Sequence, residues 1–140
     1  MDTTAAAAAV TFVWLGMVLA ISFLEAPLKF RAPGVTVPLG LGIGRLVFRA
    51  LNRVETLLAA AVIALTAAGG GPASVAVLTA VAALVLAAQL LVIRPRLNRR
   101  SDRVLAGEEL PRSRAHLLYV AAETVKVLVL LALGIESLTV

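Results

Sequence analysis

Three ionisable residues, Glu55, Glu123 and Lys126, stand where the surrounding chain is strongly apolar. On a helix Glu123 and Lys126 share one face, and His116 and Tyr119 extend that stripe at i, i+3, i+7 and i+10. Arg45, Phe48, Asn52 and Glu55 repeat the spacing. Any amphipathic helix produces it, so the match does not establish an internal duplication. Two carboxylates and an ammonium buried together can bind a cation, pass a proton, or pair to fix helix register. Other chemistries lack their residues. There is no cysteine, hence no thiolate metal site and no disulfide, and no Ser/His/Asp arrangement or P-loop occurs. His116 is the single histidine, too few for bis-His haem ligation within one chain, so no cofactor and no metal site are expected. Gly40, Gly42 and Gly44 have no preceding strand, which removes a dinucleotide reading and leaves flexibility at the start of a helix.

The elements that position these residues follow from composition. Of 140 residues 61% are hydrophobic and 15% charged, with a mean hydropathy of +1.00, outside the range of ordinary soluble domains. Four apolar runs predict an all-α, polytopic integral membrane protein, a single four-transmembrane-helix bundle over residues 1–140. Its helices are expected at about 4–27, 39–68, 73–93 and 116–138, since about 20 residues cross a bilayer. Gly69-Gly-Gly-Pro72 and Arg94-Pro-Arg96 punctuate the runs. The first run is too long for a signal-peptide core and lacks a basic leader, which predicts a retained helix.

Basic residues are segregated: five lie from Lys29 to Arg53, seven from Arg94 to Arg114, and only Lys126 elsewhere. The positive-inside rule then places loops 28–38 and 94–115 in the cytoplasm and both termini outside, in a cell inner (plasma) membrane. That segregation accounts for the net charge of +5 through topology and lipid headgroups, and no nucleic-acid partner is expected.

Depth sharpens the reading. The second helix, about 45 Å long at 1.5 Å per residue, exceeds a hydrocarbon core of about 30 Å. Arg45, Phe48, Arg49, Asn52, Glu55 and Thr56 fall on one side of it, with Arg53 at the edge, while Val47, Ala50, Leu51, Val54, Leu57 and Leu58 are expected to face lipid. Counted from the outer helix ends, Glu55 and Glu123 lie about 20 Å deep, Gln89 about 24 Å and Lys126 about 15 Å. A lysine near the midplane costs on the order of 3 kcal/mol or more unless partnered. The sequence therefore predicts a buried polar cluster of Glu55, Glu123 and Lys126. Arg49, Asn52, Gln89 and Tyr119 are expected toward its cytoplasmic end, and Glu25 and His116 at a cytoplasmic mouth. Trp14 is expected to pack inside the bundle.

Trp14 and Gly16, then Ala26, Pro27 and Phe30, Gly42-Ile-Gly-Arg-Leu-Val-Phe48, Pro95-Arg-Leu97 and His116 occur in an order that resembles a bacterial four-helix membrane-protein family of unknown function related to eukaryotic transmembrane protein 205. The resemblance covers about residues 12 to 134 and implies the four-helix topology without a biochemical activity. Glu123 and Lys126 depart from that pattern, where apolar and small polar residues are expected. Copper-resistance membrane proteins have a comparable layout, but one His and two Met do not match their metal chemistry. The leading expectation is a small transporter or channel-like protein moving an ion, proton or small solute past the buried carboxylates. The alternatives are a non-catalytic scaffold or accessory subunit and, third, a membrane enzyme or haem-handling or metal-handling protein using His116, Tyr119 and Glu123. The expected partners are the lipid bilayer and a second copy or another membrane protein, because small residues on Ala-rich helices permit close contact between chains.

Overall fold

The computed structural model describes residues 2–111 and 113–140. It holds four helices long and apolar enough to cross a membrane: α1 Thr3–Arg31, α2 Val37–Gly69, α3 Ala73–Leu105 and α4 Arg114–Leu138. No strand occurs among the described residues. The turn between α2 and α3 uses Gly70 in the left-handed region as helix cap and Pro72 as the N-cap of α3. Asp2, Thr36 and Ser113 cap α1, α2 and α4 with side-chain oxygens. The Ala5 N–H that Asp2 accepts holds its carboxyl below the ordinary carboxylate range.

The helices run up and down in sequence, each packing on its neighbours in a ring, with α4 closing on α1. Their buried residues recur at spacings of three and four. The runs are Thr11, Trp14 and Val18 on α1, Leu51, Glu55, Ala59 and Val62 on α2, Val75, Thr79, Ala82, Leu86, Gln89 and Ile93 on α3, and Tyr119, Glu123, Lys126, Leu130, Leu133 and Ser137 on α4. That period near 3.5 is the signature of helices packed at small crossing angles. Large apolar side chains also point outward, including Leu57, Leu84, Leu91, Leu117 and Leu128. Such a girdle is untenable in water and natural in lipid.

Two expected boundaries differ. The third helix does not stop at Ile93 but continues through Pro95 to Leu105, so most of the expected loop 94–115 is helical; Arg112, one of its seven basic residues, lies outside the described residues. The first helix likewise passes Pro27. The reason is common to both. Leu19–Glu25 and Gln89–Ile93 are π-helical, and the Ala26 N–H reaches back five residues to the Ile21 carbonyl as the Arg94 N–H does to Gln89. A proline ring clashes with the carbonyl four residues back and has no N–H to offer it. The widened turn immediately before Pro27 and Pro95 relieves that conflict and lets the helix go on.

The Gly40 to Gly44 segment is packed helix and not a flexible start. The Phe30 ring lies where a Gly40 side chain would project, and the Lys29 ammonium lies over Gly44. Absence of a β-carbon brings the end of α1 onto α2.

Candidate functional site: a buried charge cluster beneath a basic vestibule

At mid-height in the ring, α2 and α4 lie diagonally opposite and are joined through the core by charge. Lys126 Nζ is 2.5 Å from Glu55 Oε1, 2.7 Å from Glu123 Oε1 and 2.8 Å from Gln89 Oε1. The ammonium is hydrogen-bonded to Gln89 and ion-paired with both carboxylates. Lys126 and Glu55 have no exposed surface and Glu123 only 1%. The remaining helix of the ring, α1, also contributes. Trp14 Nε1 donates to Glu55 Oε1 at 2.9 Å, and Ser22 Oγ donates to Glu123 Oε2 at 3.2 Å. Every helix therefore supplies at least one side chain to the cluster.

The arrangement is not balanced. With both carboxyls ionised, one lysine leaves the cluster one negative charge in excess. Glu55 Oε2 and Gln89 Nε2 are buried and make no hydrogen bond. A buried acceptor and donor left open cost free energy that a purely structural pairing would avoid. Glu55 Oε2 is thus an acceptor that no protein donor in the cluster occupies.

Toward the basic end the core gives way to a cavity of about 510 Å³. Its walls include Ser22, Tyr119, Phe48, Arg94, Lys29 and His116. Ser22 is half-buried and belongs to both the cavity and the cluster, so one hydroxyl separates the cavity from Glu123. Above it the Arg94 guanidinium lies 4.5 Å from the centroids of both the Phe48 and Tyr119 rings, which meet edge to face at 5.7 Å. Stacking of this kind holds a cation over an aromatic floor without neutralising it. Lys29 lies 5.8 Å from the Phe48 ring and 3.5 Å from Glu25. At the opposite end the core is tight: Thr66 and Thr79 hydroxyls meet at 3.4 Å, Thr11 and Ser137 bond to their own helices, and only about 10 Å³ of space lies among Thr3, Thr66, Pro72 and Ser137.

Glu55, Glu123 and Lys126 come together, Gln89, expected toward the cytoplasmic end, bonds Lys126 directly, and Tyr119 is buried at the cavity floor. His116 lines the cavity, and Glu25 stands beside it through Lys29. Arg49 and Asn52 do not join the cluster: Arg49 is exposed and both line a separate groove on the α2 and α3 flank. Leu51, expected toward lipid, is 3% exposed. The inward sector of α2 is centred on Leu51, Glu55 and Ala59, where α1 packs, and the arginine seam falls outside it. Two members of the cluster were not anticipated as polar partners, Trp14 and Ser22. Trp14 carried a signal, since a buried indole N–H needs an acceptor and Glu55 lies at similar depth.

Replacing Trp14 with Phe keeps an aromatic ring, smaller than the indole, and removes the donor. A hydrogen bond to a charged group contributes about 1.5–3 kcal/mol, and a loss of that size is expected for Trp14→Phe in reversible unfolding in mixed micelles. Combined with Glu55→Gln it should be less than additive; full additivity would mean that indole and carboxyl are not coupled.

No protein-family model, no curated protein and no solved structure matches this chain.

Proposed function

We propose that this chain is a multi-pass inner-membrane protein with both termini outside and its basic end in the cytoplasm, and that it moves a small ion, a proton first among them, past Glu123 and Glu55. The observation that carries the reading is the position of the cluster. Ser22, in the wall of a cavity at the basic end, donates to Glu123, while the core at the other end leaves only about 10 Å³ of space. Access from one side to a charged site near mid-membrane is the geometry of a carrier resting in one of its two states. Ionisable groups at that depth are costly, and in membrane proteins they mark ion and proton pathways. Lys126 serves as the internal counter-ion, releasing a carboxylate when a cation or proton takes its place. The family resemblance drawn from Trp14 through His116 is part of this proposal, and so is assembly with a second copy.

The pairing of Lys126 with both carboxylates and Gln89 favours a second reading, a scaffold or accessory subunit whose charges lock the diagonal helices. Flux through proteoliposomes separates the two. Vesicles carrying the wild-type chain and an internal pH dye should equilibrate an imposed proton gradient faster than empty vesicles, with Na⁺ and K⁺ tested in parallel. Glu123→Gln should reduce the rate at least tenfold. Absence of flux for all three ions, or equal flux in the variant, would remove the transport reading.

A further inference from the structure

A second pocket, on the flank of the bundle, is not lined by Glu55, Glu123 or Lys126, and shares Arg45, Arg94 and Asn98 with the cavity. It is a groove of about 280 Å³ between α2 and α3, room for roughly nine waters at about 30 Å³ each. Arg45, Arg49 and Arg53 enter it from α2, and Arg94 and Asn98 from α3, with Asn52 beside them and Thr56 and Leu90 at its apolar end. No carboxylate lines it. Arg45 is paired with Asp102, but Arg49, Arg53 and Arg94 have no carboxylate partner among the described residues. Arg94 also keeps Nε and Nη2 buried without a hydrogen bond. Three unneutralised guanidiniums converging on one concavity, with two carboxamides between them, form a receptor for a tetrahedral oxyanion, because guanidinium forks match phosphate oxygens in pairs.

We propose that this groove binds a phosphate group, supplied by the headgroup of an anionic phospholipid. The source follows from where the groove opens. Arg49 and Arg53 are exposed on the outer flank of the bundle. Arg53 is sixteen positions from the Gly69 end of α2, about 24 Å at 1.5 Å per residue, so its guanidinium reaches the headgroup level of a core about 30 Å thick. Leu90 and Thr56 continue the groove toward the acyl region, where a free phosphate gains nothing and a lipid chain packs. Basic pockets between membrane helices at a cytoplasmic face hold anionic headgroups in this way.

The test is native mass spectrometry of the full chain released from detergent after incubation with phosphatidylglycerol, phosphatidylcholine or inorganic phosphate. The wild-type chain should retain phosphatidylglycerol in preference to phosphatidylcholine. The double variant Arg49→Gln/Arg53→Gln should bind it about thirtyfold more weakly, the loss expected for two interfacial cationic contacts. Arg96→Gln/Arg99→Gln, exposed on α3 away from the groove, should bind as the wild type does. All four substituted positions are exposed, and matching thermal unfolding verifies that the variants are folded. Binding of inorganic phosphate with the same loss in the groove variant would keep the phosphate site and assign it a soluble source. Equal retention of the two lipids, no loss in the groove variant, or binding of neither phosphatidylglycerol nor phosphate would overturn the proposal.

Discussion

Replacing Lys126 with Met is expected to destabilise the bundle by about 3–5 kcal/mol, the cost of leaving a buried ion network without one partner. The magnitude follows from what remains. Glu55 and Glu123 would face each other's charge through a neutral side chain in a core where neither has exposed surface to speak of. Gln89 Oε1 would lose its only donor. Met fills nearly the same space as Lys, so the loss is electrostatic and not a cavity. The triple variant Lys126→Met, Glu55→Gln, Glu123→Gln should recover at least half of it, because a neutral carboxamide at 55 still accepts from Trp14 and removing a whole buried network is often close to neutral. Reversible unfolding in mixed micelles measures both. A single variant as stable as the wild type, or a triple variant no better than the single, would mean that the charges do not hold the diagonal helices together.

Much of this cluster was legible before any coordinates, and for a simple reason. An ionisable residue deep in an apolar helix has few places to go, and counting residues from the helix ends puts Glu55 and Glu123 at the same depth, with Gln89 and Lys126 within about one helical turn of them. The α4 stripe was legible because Tyr119, Glu123 and Lys126 are the polar members of one buried face that continues through Leu130 and Leu133.

What was not legible depends on neighbours. A helical wheel gives angles, but only packing decides which sector faces inward. On α2 the inward sector contains Leu51, about 40° from Glu55, while Arg49 lies about 120° from Glu55 and lines the flank groove. The polar arc of Arg45 through Thr56 looks like one face and is in fact divided between core and groove. Ser22 had no signal, since a serine in an apolar helix ordinarily bonds its own backbone. The passage of α1 and α3 through proline was also hidden. Pro27 and Pro95 read as stops, and it is the π turns just before them that let Arg94 rise over the Phe48 and Tyr119 rings as a continuation of the helix.

The central claim is one of access: the charged cluster is reached through the cavity at the basic end, past Ser22. The natural absence of cysteine makes Ser22→Cys a clean reporter, because its thiol is then the only one present. The chain should be inserted in sealed vesicles and exposed to a membrane-impermeant thiol reagent added to one face at a time. The expected result is labelling of Ser22→Cys from the basic face, prevented by prior treatment of that face, with at least a tenfold slower reaction from the face bearing the Gly69 to Pro72 turn. Thr79→Cys, in the closed end, should remain unlabelled from both. Equal labelling of Ser22→Cys from the two faces, or none from the basic face, would contradict the proposed route to Glu123.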